Sequence, residues 1–322
     1  IKSFCFEILS GVPQGAHLGP LLFLMFINDL PSFLNFVLCL LFADDFKIFK
    51  SILSESDMIL LQKDIDRVID WSKINSLPIN ESKCQLMVFA KNKSRFEDVQ
   101  YIVGNTKLTP QTEITDLGVV FDSKLSFNSH VRSIILNANR TLGFVIRSSH
   151  SFRQLDTLIL LYNSLVRSKL EYASIIWHGL NATQTEKLEK VQKRFLRYLY
   201  YRKHGVYPHY NNHPVRTSAM LKEFHLSTLA NRRNLNDAMF LYRIFNNHIN
   251  CSELVSKFKF RIPARNTRQK QLFAISVARS PESPVLRIIN LYTGLCELLD
   301  LDVFGMTLNA YKKRINDHYT GQ

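Results

Sequence analysis

Cysteine is scarce and scattered in this 322-residue chain. Its five cysteines, Cys5, Cys39, Cys84, Cys251 and Cys296, are odd in number, and no two stand at a metal-clip spacing such as C-x-x-C. A disulfide framework and a zinc finger are therefore excluded as expectations, and a reducing intracellular compartment (nucleus or cytoplasm) is favoured over secretion. Glycine, at 11, and proline, at 10, are too few for collagen-like or linker-type material. No long uninterrupted apolar run is present either. The Leu- and Phe-rich stretch from Leu18 to Phe42 is broken by Asn28, Asp29, Pro31, Ser32 and Asn35, leaving Pro20–Ile27 and Phe36–Ala43 at eight residues each. A membrane-spanning helix needs about 20 mostly apolar residues. These pieces suit a buried helix and a buried strand instead, and no membrane partner is expected. Acids are also short: 27 Asp+Glu stand against 41 Lys+Arg, a formal net charge of +14. That surplus points to a polyanionic partner, with nucleic acid first.

What is present is a foldable composition, 46% apolar and 21% charged, of a length that fits two domains or one large one. The charge is unevenly placed. Residues 1–90 hold 7 Lys+Arg and 10 Asp+Glu, a net of −3, whereas residues 91–322 hold 34 and 17, a net of +17. An acidic-leaning first part and a basic remainder fit a carboxylate site upstream of a polyanion-holding surface. A merely solubilising basic face gives the same sum. The chain opens at Ile1 inside an apolar, strand-like run, which reads as a fragment of a longer protein.

Residues 3–9 read as a strand, 10–15 as a turn-rich loop, and His17–Asn28 as a buried helix stopped at Pro31. Residues 36–49 read as a hairpin, with Phe36–Phe42 its buried first strand and Asp44-Asp45 at its tip. Leu61, Ile65, Val68 and Ile69 keep helical spacing within an amphipathic helix from about Glu55 to Asn75. Strands are expected over Cys84–Ala90 and Ile114–Phe121, the latter broken by Gly118, with a hairpin over Tyr101–Leu108 around Gly104-Asn105. After about residue 127 the pattern turns helical. One stripe is Val131, Ile135, Ala138, Leu142 and Val145, and a second helix covers Leu155–Tyr172. Thr183 and Glu186 form a capping box before Lys187–Tyr201, and two helices follow over 217–226 and 228–247. Residues 202–214 and 256–285 read as loops. The expected division is 1–126, 127–201 and 202–322.

The chemistry centres on Asp44-Asp45. Two adjacent carboxylates repel each other, and an apolar hairpin sharpens that cost. A divalent cation removes it, and Mg²⁺ takes carboxylate oxygens while keeping positions for substrate phosphates. Asp-Asp is also common in plain polar turns, and the pair alone leaves both readings open.

The surroundings of the pair carry a resemblance. Ser10-Gly11-Val12-Pro13-Gln14-Gly15, Leu18-Gly19-Pro20-Leu21-Leu22-Phe23, Phe26-Ile27-Asn28-Asp29-Leu30-Pro31, Leu41-Phe42-Ala43-Asp44-Asp45, Trp71-Ser72, Asn80-x-x-Lys83-Cys84, Leu117-Gly118-Val119-x-Phe121-Asp122 and Leu170-Glu171-Tyr172-Ala173-Ser174-x-x-Trp177 occur in this order. Together they resemble the reverse transcriptase of LINE-like (non-LTR) retrotransposons of the jockey type, over residues 10–200. The resemblance implies an α+β fold: part of a right-hand polymerase palm (antiparallel sheet plus helices), followed by an all-helical thumb and C-terminal region. It implies Mg²⁺, with Mn²⁺ as the alternative, and an RNA template, a DNA primer and dNTP as partners.

By the same resemblance Asp44 is a metal ligand and Asp45 the second carboxylate. Gln14, Gly15 and Phe42 lie against the nucleotide, and Lys83 lies near the triphosphate, where a lysine can neutralise or protonate the leaving pyrophosphate. Gly118 belongs to the hairpin that grips the primer end; its other reading is a bulged core strand. Arg132, Arg140, Arg147, Lys190, Lys193, Arg194 and Arg197 could track a heteroduplex backbone. The family's palm has a further aspartate on a strand before the Gln14 loop, where this sequence offers only Glu7. The chain alone is therefore expected to be inactive. Three readings follow: a polymerase fragment, a catalytically dead nucleic-acid-binding remnant, and a basic helical scaffold.

Overall fold

The structure is a computed structural model and describes residues 11, 15–90, 100–208, 215–261, 272–274 and 283–321. The expected strand at 3–9, Cys5, Glu7 and Gln14 lie outside the described residues. The chain divides into two units, residues 1–116 with 121–125, and residues 117–120 with 126–322.

The first unit is organised on one long helix. α2 (Glu55–Ile74) starts at Ser54, which with Asp57 makes a capping box, and ends at Asn75, ahead of the helix-incompatible Pro78. It buries Asp64, Ile65, Val68, Trp71 and Ser72. Two small cores use this face. Ile27, Leu30, Val68 and Trp71 pack with Leu41 and Phe46, and Ile65, Tyr101 and Val103 pack with Ile48.

β1 (Leu38–Phe42) and β2 (Asp45–Phe49) pair antiparallel in the register Leu38↔Phe49 to Phe42↔Asp45. β3 (Tyr101–Val103) and β4 (Thr106–Leu108) form a second hairpin through Gly104-Asn105. Its turn is fixed chemically: the Glu81 carboxylate accepts the Asn105 N–H at 3.1 Å and the Thr106 hydroxyl at 2.8 Å. A Cβ at Gly104 would collide with Glu81 Oε1. β5 (Glu113–Asp116) and β6 (Val119–Asp122) make a third two-stranded sheet.

Three expectations fail here. α1 (Gly19–Ile27) buries only Gly19 and Ile27, so it is not a buried helix; Leu18, Leu21, Leu22, Leu24, Met25 and Phe26 are all exposed. Its apolar residues run all round the helix, and one packed side cannot cover them. β1 is not fully buried either, because Leu38, Leu40 and Phe42 alternate outward while Cys39 and Leu41 turn inward. The strand expected at Cys84–Ala90 shrinks to one bridge between Leu86 and Pro110; proline has no N–H with which to extend a ladder.

The second unit is helical. α3 (Asn128–Ser148) buries Val131, Ala138, Leu142 and Val145, with Ile135 half-buried. It packs on α7 (Ala182–His204), which buries Leu188, Val191, Phe195, Leu196 and Leu199. α7 begins earlier than the sequence suggests. Asn181 is the cap, its Oδ1 accepting the Gln184 N–H at 2.8 Å while Gln184 Oε1 accepts the Asn181 N–H at 3.0 Å. Asparagine outcompetes Thr183 for this role.

The expected single helix over Leu155–Tyr172 is α4 (Leu155–Leu161), a π-helical turn Tyr162–Arg167 and α5 (Ser168–Glu171). At the π turn, Tyr162 stacks on Phe195 at 4.1 Å and donates its hydroxyl to Gln192. α6 (Ser174–Trp177), α8 (Thr217–Glu223), α9 (Leu229–Phe245) and α10 (Ser252–Val255) follow. α11 (Pro284–Leu299) and α12 (Leu308–Gly321) close the chain, and with α9 they form a core containing Leu241, Ile288, Tyr292, Tyr311 and Ile315. Among the described residues, no helix is long and apolar enough to cross a membrane.

Candidate active site

The turn of the β1–β2 hairpin is Ala43-Asp44, and Asp45 is the first residue of β2, paired with Phe42. Ala43 has φ +51°, the positive value a two-residue hairpin turn demands at its first position. Asp44, Asp45 and Phe42 are exposed, so the two carboxylates project at the hairpin's end rather than into a core. Lower down the same ribbon, Lys47 pairs with Asp116 at 2.5 Å and Lys50 with Asp57 at 3.4 Å.

At the ribbon's base a buried carboxylate does more. Asp64 of α2, 0% exposed, accepts the backbone N–H groups of Asn35 (3.2 Å), Phe36 (2.7 Å) and Val37 (3.0 Å). Its other partner is Arg67 Nη1 at 2.5 Å, and the Arg67 guanidinium lies over the Phe36 ring at 5.0 Å. Burial by itself would raise the Asp64 pKa. The Phe36 N–H, Arg67 and the Asn35 N–H outweigh it and hold the carboxyl below its usual value.

Among the described residues no group of three or more His, Cys, Asp or Glu is placed to hold a metal ion. The donors available at the turn are two hard carboxylates. They fit a hydrated divalent ion shared with phosphate oxygens, which is how Mg²⁺ is commonly held, and not an ion caged by protein alone.

Of the other site candidates, Gly15 has φ +82° with open space where a Cβ would lie, so the loop uses glycine's freedom there. Lys83 ends the short 3-10 turn Glu81–Lys83 and is exposed. Gly118 (φ +78°) follows Leu117 (φ +44°) in the β5–β6 turn. Two successive positive φ values mark a type I′ hairpin, so Gly118 is a turn residue and not a bulge in a core strand. On α3, Arg132, Arg140 and Arg147 are exposed, and at about 100° per residue they share one face. On α7, Lys190 and Arg194 are exposed and Lys193 and Arg197 half-buried, again along one face; Lys190 also meets Glu186 at 3.0 Å.

The hairpin lies in a stretch that resembles known proteins. Residues 4–121 match the family described as reverse transcriptase (RNA-dependent DNA polymerase). That stretch is similar to reverse transcriptases.

The chain is 28% identical over 207 residues to the RNA-directed DNA polymerase from mobile element jockey of Drosophila funebris, covering 59% of this chain and 22% of the relative. It is 27% identical over 199 residues to the probable RNA-directed DNA polymerase from transposon X-element of Drosophila melanogaster, with the same coverage. The similarity to reverse transcriptases of LINE-like retrotransposons is thus shown, while the chain spans about a fifth of the length of these relatives. No solved structure matches it.

Several motifs quoted for the resemblance prove to be structural. In the first unit, Trp71 donates Nε1–H to Asp29 at 3.0 Å, so the Asn28-Asp29 and Trp71-Ser72 motifs lock together. In the second unit the Tyr172 hydroxyl donates to the Leu117 carbonyl at 3.0 Å, and Trp177 Nε1–H donates to the Tyr172 carbonyl at 2.9 Å. Glu171 accepts two bonds from the Arg232 guanidinium.

His130 belongs to the same assembly and was missed in the sequence. It is buried, sits edge-on to Trp177, and accepts the Val120 N–H at Nδ1 (3.3 Å). Burial holds its pKa below the ordinary value. The unfolded chain therefore binds the proton first as pH drops through about 6.5, and stability falls with pH from there until the folded-state value is reached, by up to about 1.4 kcal/mol per pH unit. Urea unfolding across pH 5–7.5 checks this: His130→Asn, which keeps an acceptor for Val120, is expected to flatten the slope. An unchanged slope would assign it to other groups.

Proposed function

We propose that this chain is the palm and thumb part of an RNA-directed DNA polymerase, which transfers a nucleotide from dNTP to a primer 3′ end on an RNA template. The observation that carries the reading is the Phe42-Ala43-Asp44-Asp45 hairpin end, inside a segment that matches reverse transcriptases. Asp44 and Asp45 would hold Mg²⁺, or Mn²⁺ in its place; when bound, that ion stabilises the attacking and leaving oxygens of the transfer. Gln14, Gly15 and Phe42 would meet the nucleotide, and Lys83 would neutralise the pyrophosphate. The Gly118 hairpin would lie against the primer end. The exposed arginines of α3 and the basic face of α7 would follow the phosphate backbone of the heteroduplex, whose recognition is largely a matter of shape and charge.

The catalytically dead, nucleic-acid-binding remnant is the second reading. It is favoured by the small donor set at the turn, two carboxylates with no third ligand among the described residues.

Binding of a DNA-primed RNA template to the chain, measured from about 50 to 200 mM salt, tests the shared core of both readings. Affinity is expected to fall linearly on a log–log scale, and Arg194→Ala to reduce that slope by about 1. Salt-insensitive or absent binding would leave only a basic helical scaffold. Mg²⁺-dependent dNTP incorporation by the same chain would exclude the dead remnant.

A further inference from the structure

Among the described residues the β1–β2 ribbon pairs with no further strand, and its face with Leu38, Leu40, Phe42 and Phe49 is exposed. A ligand site at the tip of a two-stranded hairpin is only as ordered as the hairpin's supports. The inward side chains Leu41, Phe46 and Ile48 supply apolar packing, which is non-directional. What fixes the ribbon's direction is its polar base. Asp64 grips three consecutive N–H groups at residues 35–37, immediately before β1 begins, and Lys50 donates to the Phe36 carbonyl at 3.2 Å. Placed on the rigid α2 and itself held by Arg67, the Asp64 carboxylate sets both where β1 starts and which way its first peptide planes face.

From this geometry we infer that Asp64 is a positioning residue for metal binding at Asp44-Asp45, acting through the backbone of residues 35–37. It touches neither ion nor nucleotide. The inference rests on the reading of Asp44 and Asp45 as metal ligands.

Mn²⁺ titration of the 322-residue chain, read by paramagnetic broadening of the amide signals of residues 43–46, tests it. Asp44→Ala is expected to abolish the broadening. Asp64→Asn, isosteric but uncharged, is expected to weaken Mn²⁺ at least threefold and to speed amide exchange in residues 38–42 about tenfold. All affinities are taken well below each variant's melting temperature, where a purely structural role lowers the melting point and leaves the affinity alone. Asp64→Glu, which keeps the charge but moves it by one methylene, is expected to melt closer to wild type than Asp64→Asn and still to bind Mn²⁺ more weakly than wild type. If Asp44→Ala abolishes broadening while both Asp64 variants bind as wild type, the positioning role is overturned and the metal reading stands. If Asp44→Ala changes nothing, the metal reading falls and this inference falls with it.

Discussion

Replacing Trp177 by alanine is expected to remove about 4 kcal/mol of stability from the helical unit, the range found for deleting a large aromatic side chain from a packed core. The residue is 0% exposed and carries two tasks at once. Its ring packs edge-on to His130 at 5.6 Å, and its Nε1–H satisfies the Tyr172 carbonyl. Truncation leaves a cavity and an unsatisfied carbonyl together, and the relaxation of one does not repair the other. For a unit of about 200 residues the loss corresponds to a melting point lower by about 8–16 °C. Trp177→Phe keeps a six-membered ring in the core but loses the pyrrole edge with its hydrogen bond, so a smaller cost of about 1–2 kcal/mol is expected. Thermal unfolding followed by helical circular dichroism reads both. A Trp177→Ala midpoint within 3 °C of wild type would show that this cluster does not hold the unit. The consequence reaches the Leu117–Gly118 hairpin, because Tyr172, whose carbonyl Trp177 holds, is the residue that grips the Leu117 carbonyl.

How much of this was legible in the sequence differs from element to element. The α2 helix is, because its apolar spacing, capping residues and downstream proline all agree, and agreement across levels is what a foldable sequence shows. The β1–β2 hairpin is legible because an apolar run and an alternating one flank a short polar break, although the turn is Ala43-Asp44, one residue before the expected Asp44-Asp45 tip. The exposure of α1 and of the outer face of β1 is not. A run such as Leu21-Leu22-Phe23 says only that burial would be favourable, and not whether a partner surface exists. The π turn at Tyr162–Arg167 accompanies a tertiary stack on Phe195, thirty-three positions away, which no local pattern records. The roles of Tyr172 and Trp177 were visible only as members of a motif; their physical work, tying a hairpin turn to a helix core, needs coordinates. Asp64, by contrast, had a signal that went unused. It lies three residues after Leu61 and four before Val68, on the apolar stripe itself, and a charge on a buried face must have partners.

Those partners make the first unit sensitive to the charge of the Asp64 carboxylate. Asp64→Ala is expected to cost about 3 kcal/mol near pH 7, since it strands buried N–H donors at residues 35–37 and leaves Arg67 without its carboxylate. The effect must depend on pH with a definite sign. Because the folded-state pKa lies below the unfolded value of about 3.9, the unfolded chain binds the proton first as pH falls. The stabilisation is therefore complete above about pH 5 and is lost progressively as pH drops through the folded value. Wild type and Asp64→Ala should differ most near neutrality and converge in acid, whereas Asp64→Asn, which cannot titrate, should show no such loss of its own. The chain has only two tryptophans, and Trp71 lies in the α2 core beside Val68. In a Trp177→Phe background its fluorescence reports this unit alone, so urea unfolding at pH 3 to 7 measures the difference directly. A gap between wild type and Asp64→Ala that stays constant over that range would mean that the ionised carboxylate is not what anchors the hairpin, and the anchoring would pass to the apolar contacts of Leu41 and Phe46.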